Sequence, residues 1–141
     1  MADEVTSSYQ ILQFPGAKLP KCYTSLIYSK WLRSLRYGND YFKLIDPESY
    51  YHTYNKHIDF ILGHPDTTVR LAVLSDNHDV VLGFSIIRNT ILDYVHVHKD
   101  QRNHGIGRTL VPSGILTITH LTKIALAIWP KYPKVKFNPF C

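Results

Sequence analysis

The sequence predicts a mixed α/β domain, one sheet with helices packed against it. Three observations predict it. Residues 69–73, 80–87 and 91–98 carry alternating or continuous apolar runs joined by short polar turns, the pattern of an antiparallel meander. Two stretches of helical spacing lie between an earlier apolar run and that meander. A glycine turn, Gly105-Ile106-Gly107, then follows the last meander strand and opens a further helix. The order read from the chain is β, α, α, β, β, β, α, β, α, β.

The first strand is residues 9–14, closed by the turn dipeptide Pro15-Gly16, and residues 17–22 read as loop. Thr24 or Ser25 is placed to cap a helix that runs to Tyr37. Ile27, Trp31 and Leu35 form its apolar stripe with Leu32 beside them, and Lys30, Arg33 and Arg36 should point outward. Gly38-Asn39-Asp40 ends it. The next helix has clearer punctuation. Asp46 is a good N-cap, Pro47 suits the first helical position, and Gly63 and Pro65 stop it. Tyr51, Tyr54, Ile58, Ile61 and Leu62 give it an apolar face.

Val69, Leu71 and Val73 alternate as a half-buried strand should, and residues 75–79 are a polar turn. Residues 80–87 follow with Gly83 inside, and Asn89-Thr90 leads into residues 91–98. Pro112 limits the helix after the glycine turn to a stub over residues 105–113, because proline removes a backbone hydrogen bond. Residues 115–120 alternate as a fifth strand. Residues 121–131 suit a last helix, and residues 135–140 a last edge strand, where Pro139 cannot donate to a ladder.

At 141 residues the chain reads as one domain, residues 1–141, with room for a real core. Sixteen Lys and Arg against eleven Asp and Glu leave a net charge of +5. That excess suits an anionic cofactor, an acidic partner or nucleic acid. No long run of like charge is present, so nucleic acid is not required. Cys22 and Cys141 make neither a disulfide framework nor a zinc spacing, so no metal is expected. No apolar run approaches about 20 residues, and residues 1–4 lack a signal-peptide pattern. The expected location is the cytoplasm.

The chemistry is concentrated in residues 95–111. The first N–H groups of a helix have no partner inside it and sit at the positive end of its dipole. Glycines let an anion approach that backbone, and Arg102 and Arg108 add charge on either side. A diphosphate is the natural guest. The spacing is neither the dinucleotide fingerprint nor a nucleotide P-loop.

Arg102-Asn103-His104-Gly105-Ile106-Gly107, just after a strand ending in Val95-His96-Val97, resembles motif A of the GNAT superfamily of N-acetyltransferases. That motif is Arg/Gln-x-x-Gly-x-Gly/Ala. The resemblance implies an acetyl-CoA acyltransferase-like fold with a central, mostly antiparallel sheet flanked by helices. It implies that the backbone from Arg102 through Arg108 and Thr109 holds the cofactor's pyrophosphate. The pantetheine arm would then pair with the fourth strand around Tyr94, Val95, His96 and Val97, in a gap where the fourth and fifth strands splay.

Acetyl transfer to an amine needs a neutral nucleophile, a polarised carbonyl and a proton for the thiolate. Base candidates are Asp93, His96 and His98. In a regular strand Asp93 lies on the face opposite the two histidines. The family often protonates the thiolate with a tyrosine in the last helix. That position falls here on Trp129, which has no acidic proton, so Tyr132, Thr119, His120 or solvent must serve. Relatives admit the acceptor over the first two helices, where Tyr50, Tyr51, Tyr54 and His57 line a groove or else pack as core.

The expected activity is transfer of an acetyl group from acetyl-CoA to an amine: a protein lysine, a protein N-terminus or a small amine. The compact layout resembles minimal acetyltransferases of phage and mobile elements, which would place the protein in a host cytoplasm. Relatives often dimerise through terminal strands, so a homodimer is a candidate state. Two rivals remain: a catalytically weak or inactive member of the same fold that binds a partner, and a basic nucleic-acid-binding protein without cofactor. The scattered basic residues argue against the last.

Overall fold

The computed structural model describes residues 8–38, 40–101, 105–120 and 134–139. Among the described residues six strands form one sheet in the order β1-β2-β3-β4-β5-β6. They are β1 (Tyr9–Pro15), β2 (Thr67–Leu74), β3 (Asn77–Arg88), β4 (Ile91–Val97), β5 (Thr117–Ile118) and β6 (Lys136–Phe137). The first four pair antiparallel; β5 joins β4 in parallel, and β6 joins β5 in parallel at the edge. The helices are α1 (Lys21–Tyr37), α2 (Asp40–Lys43), α3 (Pro47–Gly63) and α4 (Ile106–Leu110).

Alternation along the strands divides the core into two layers. On one face Ile27, Trp31 and Leu35 of α1 and Ile58 and Ile61 of α3 pack on Leu71, Phe84, Ile86 and Tyr94. On the other, Ile106 and Leu110 of α4 pack with Ala72, Leu92, Val95 and Val97. Trp31 stacks on Tyr94 with ring centroids 4.8 Å apart. Gly83 lets α4 and β4 come close, since a Cβ there would meet His96 O at 2.7 Å and the Leu110 side chain at 3.2 Å.

Several boundaries differ from the sequence expectation. A 3₁₀ turn occupies Gly16–Lys18, and α1 starts at Lys21 directly after Pro20. Thr24 therefore caps nothing; its hydroxyl donates back to Pro20 O at 3.1 Å. Arg36 is buried rather than outward. Its guanidinium donates to Ile45 O at 2.9 Å and lies over the Tyr50 ring, holding the end of α1 to the loop before α3. The short helix α2 is unanticipated. At α3 the punctuation acts as read: Asp46 accepts the Ser49 N–H at 3.1 Å, and Pro47 is the first helical residue.

The turn before β3 tightens to Ser75-Asp76, so the strand begins at Asn77, three residues earlier than its apolar run. The stub after the glycine turn is only Ile106–Leu110. The fifth strand shrinks from residues 115–120 to Thr117–Ile118, and the last from residues 135–140 to Lys136–Phe137. The helix expected over residues 121–131 lies outside the described residues, with Trp129 and Tyr132. No described helix is long and apolar enough to cross a membrane.

Candidate active site at the fork between β4 and β5

β4 is not a regular strand. Tyr94 pairs with Ile86 and Leu92 with Ile87, so Asp93 is an extra residue, a bulge. The bulge breaks the alternation. Leu92 and Val95 both join the α4 layer, while Tyr94 joins the α1/α3 layer. Arg88 lies two residues along β3 from Ile86, so its guanidinium and the Asp93 carboxylate it binds lie on the Tyr94 side of the sheet. The expectation that Asp93 lies opposite His96 fails for this reason: His96 also faces that side, its ring 5.6 Å from Phe84.

The same bulge ends the pairing with β5. The two strands match only at Ile91–Thr117 and Leu92–Ile118, and the Thr119 N–H donates to Leu92 O at 3.1 Å. Beyond that point side chains take over from the ladder. Thr119 Oγ1 lies 3.2 Å from Asp93 O, and His120 Nδ1 lies 2.8 Å from it. Further along β4, the His98 N–H donates to Leu82 O. Antiparallel alternation from that bond turns the backbone groups of Val95 and Val97 away from β3.

A buried polar network holds the fork. Arg88 Nε and Nη2 donate to the Asp93 carboxylate at 2.6 and 2.9 Å, a bidentate pair across the Asn89-Thr90 turn. Thr119 Oγ1 donates to Asp93 Oδ1 at 3.0 Å and sits 2.9 Å from His120 Nδ1. Arg88, Asp93, Thr119 and His120 are each at most 9% exposed. Because Nδ1 faces a carbonyl oxygen, it carries the hydrogen in the neutral ring, leaving the lone pair on Nε2. Burial pushes His120 down to about 4, helped by the neighbouring His57 ring, so the imidazole is neutral near pH 7. Burial also lowers His57.

His120 opens onto a cavity of about 370 Å³. Thr53, Tyr54 and His57 of α3 form one wall and Leu35 and Phe42 another, while Phe137 and Pro139 approach from β6 and beyond. Three rings cluster there: His57 lies 5.7 Å from His120 and 5.4 Å from Tyr54, and Tyr54 lies 6.1 Å from His120. Among the described residues no group of His, Cys, Asp and Glu is arranged to hold a metal.

On the opposite layer, Gly105 precedes α4 with φ of +80°, a left-handed conformation that favours glycine. A Cβ at Gly105 would meet nothing within 4 Å, so the approach to this turn is open. Ile106, Gly107 and Arg108 present the first N–H groups of α4, and Thr109 Oγ1 donates to Gly105 O at 3.0 Å. This backbone suits a diphosphate. Arg102, Asn103 and His104 lie outside the described residues.

The anticipated site residues are thus divided. Asp93 is committed to Arg88 and Thr119. His96 and His98 are half-buried on and beyond β4 and do not line the cavity. Tyr50 is core, with its hydroxyl donating to Leu32 O, whereas Tyr54 and His57 do line the cavity. Sequence reasoning passed over Arg88 and reached His120 only as a neighbour of the sulfur. The available signal was a carboxylate in an apolar strand, five residues after an arginine across a tight turn.

No family model matches the sequence, and no curated protein does. Solved structures do. A Pyrococcus furiosus protein provisionally assigned as an acetyl transferase superposes with a TM-score of 0.58 at 16% identity, over 93% of this chain and 80% of its own. The apo form of YjaB from Escherichia coli gives 0.48 at 20% identity, over 72% of this chain and 60% of its own. A GNAT-family acetyltransferase from Staphylococcus aureus gives 0.48 at 18% identity, over 73% and 61%. The chain spans about three fifths of the length of these last two. At such identities the likeness is one of fold. A mixed sheet with helices on both faces matches the fold of GNAT acetyltransferases.

Proposed function

We propose that the chain, as a single domain, transfers an acetyl group from acetyl-CoA directly to an amine. One observation carries the reading: β4 and β5 part after two paired positions, with a neutral buried histidine at the fork facing a cavity. The open turn at Gly105 adds a diphosphate cradle on the other layer. Acetyl-CoA supplies the thioester that donates the acetyl group and the thiolate that leaves.

In this reading the amides of Gly105 to Arg108, with Arg102, Asn103 and His104 before them, hold the diphosphate. The edge of β4 at Val95 holds the extended arm. His120 is the general base. Its Nε2 lone pair takes the proton that the attacking amine sheds, while its Nδ1–H stays on Asp93 O. Arg88, Asp93 and Thr119 position that ring. His120 replaces Asp93, His96 and His98 as the preferred base, because it alone of the four lines the cavity. Tyr54 lines the cavity beside it and bears a hydroxyl that burial keeps protonated, so it serves as the proton source for the thiolate.

The test is thermal unfolding with and without acetyl-CoA, repeated on Gly105→Glu, followed by thiol release with amines. A ligand at about 100 times its dissociation constant adds roughly 2.7 kcal/mol, a shift of several degrees at this size. The shift should vanish in Gly105→Glu. His120→Ala should keep the shift and lose about 100-fold or more in kcat. A folded protein with no shift at millimolar acetyl-CoA would overturn the reading.

A further inference from the structure

We infer that the cavity at the fork takes a primary monoamine with an apolar body and rejects diamines and polyamines. The inference rests on the acetyl-transfer reading and names its acceptor class. It starts from what the cavity lacks. None of its described lining residues carries a carboxylate. Residues 101–141 contain no Asp or Glu, so β5 and β6 add no carboxylate side chain. The carboxylate at the fork, Asp93, accepts two hydrogen bonds from Arg88 and one from Thr119. On α3, Asp59 is exposed and accepts the Tyr28 hydroxyl, and Glu48 is exposed in the first turn. A second ammonium would enter without a counter-ion, and burying an unpaired charge is expensive. The chain's net charge of +5 also opposes a polycation.

What the cavity offers suits a single amine on an apolar body. Leu35, Phe42, Phe137 and Pro139 supply apolar walls, and a volume of about 370 Å³ is at the small end for ligand pockets. The Phe42 and Tyr54 rings meet edge to face at 5.5 Å, giving an aromatic wall over which one ammonium is attracted before it loses its proton. His57 and His120, both kept neutral by burial, add no repelling charge.

Calorimetric titration of the full chain tests this without turnover, using 2-phenylethylamine against 1,5-diaminopentane. The monoamine should bind at least tenfold tighter. Thr53→Asp, which places a carboxylate on the cavity wall, should shift the ratio at least tenfold toward the diamine. Equal or tighter binding of the diamine by the unaltered chain, or no binding of either amine, overturns the inference. Thiol release separates the two readings. Monoamine binding without thiol release from acetyl-CoA keeps the acceptor class and removes acetyl transfer. Thiol release fastest with the diamine keeps acetyl transfer and removes the acceptor class.

Discussion

The two halves of the sheet are built on different terms. β1 to β4 run for 7, 8, 12 and 7 residues and zip together through long antiparallel ladders that are interrupted only locally, by the Asp93 bulge and by register shifts opposite Val73. β5 and β6 are 2 residues each and pair in parallel. In the long half, backbone hydrogen bonds satisfy the strands and generic apolar burial holds the layers, so many residues serve equally well. In the short half, Asp93 O is satisfied by the His120 side chain and the Asp93 carboxylate by Thr119, which only particular residues can do. Stopping the ladder early opens the fork; Thr119 and His120 then hold the end of β5 to Asp93, which Arg88 of β3 fixes in place.

The sharpest way to break this contrast is at Asp93. Asp93→Ala leaves a guanidinium that is only 9% exposed without its carboxylate, and removes an acceptor from Thr119. Stability should fall by about 3–5 kcal/mol, the usual effect of removing one partner of a buried pair. Ile86→Val, in the long half, should lose only about 0.5–1.5 kcal/mol. Urea unfolding of both variants measures the difference. Replacing Arg88 and Asp93 together by leucine should recover most of the loss, since no charge is then stranded. A loss below about 1 kcal/mol in Asp93→Ala would mean that the ion pair does not hold the fork.

The halves should also respond oppositely to pH. His120 is held down to about 4 by burial, against 6.5 in the unfolded chain. As pH falls below 6.5 the unfolded state binds the proton first, so stability is lost progressively until about pH 4. The loss approaches roughly 3 kcal/mol, and His57, also lowered, acts in the same direction. Tyr94 in the long half, and Tyr50 of α3 in the same core layer, are raised above 10 by burial. Above pH 10 the unfolded state ionises first, and stability falls as pH rises. Urea midpoints across pH should show both limbs. His120→Gln should flatten the acid limb and leave the alkaline limb in place.

Legibility in the sequence follows the same division. The meander was readable because Val69, Leu71 and Val73 alternate and Asn89-Thr90 marks a turn. The bulge was not, because Ile91-Leu92-Asp93-Tyr94-Val95 has no alternation strong enough to expose one inserted residue. Thr119 and His120 read as strand because their role depends on a carbonyl that the bulge re-aims. Arg36 read as solvent-facing because helical spacing cannot foresee that α2 brings the Ile45 carbonyl against it. The Gly105 turn was legible as a motif, since its left-handed φ demands the residue itself.

The smallest effect belongs to the most legible feature. Asp46 is exposed, lies in the loop before α3 and accepts one hydrogen bond, from the Ser49 N–H at 3.1 Å. Asp46→Ala should lower stability by about 1 kcal/mol, as a lost N-cap does, and Asp46→Asn should restore most of it. Pro47 still fixes the first helical φ, so the helix start should not move. Asp46 is not among the lining residues of the cavity, so thiol release per folded molecule should stay within about twofold of the unaltered chain. If Asp46→Ala instead reduced turnover per folded molecule well beyond twofold, the N-terminus of α3 would be coupled to the fork. The two halves would then have to be treated as one cooperative unit, with α3 transmitting strain to Tyr54 and His57.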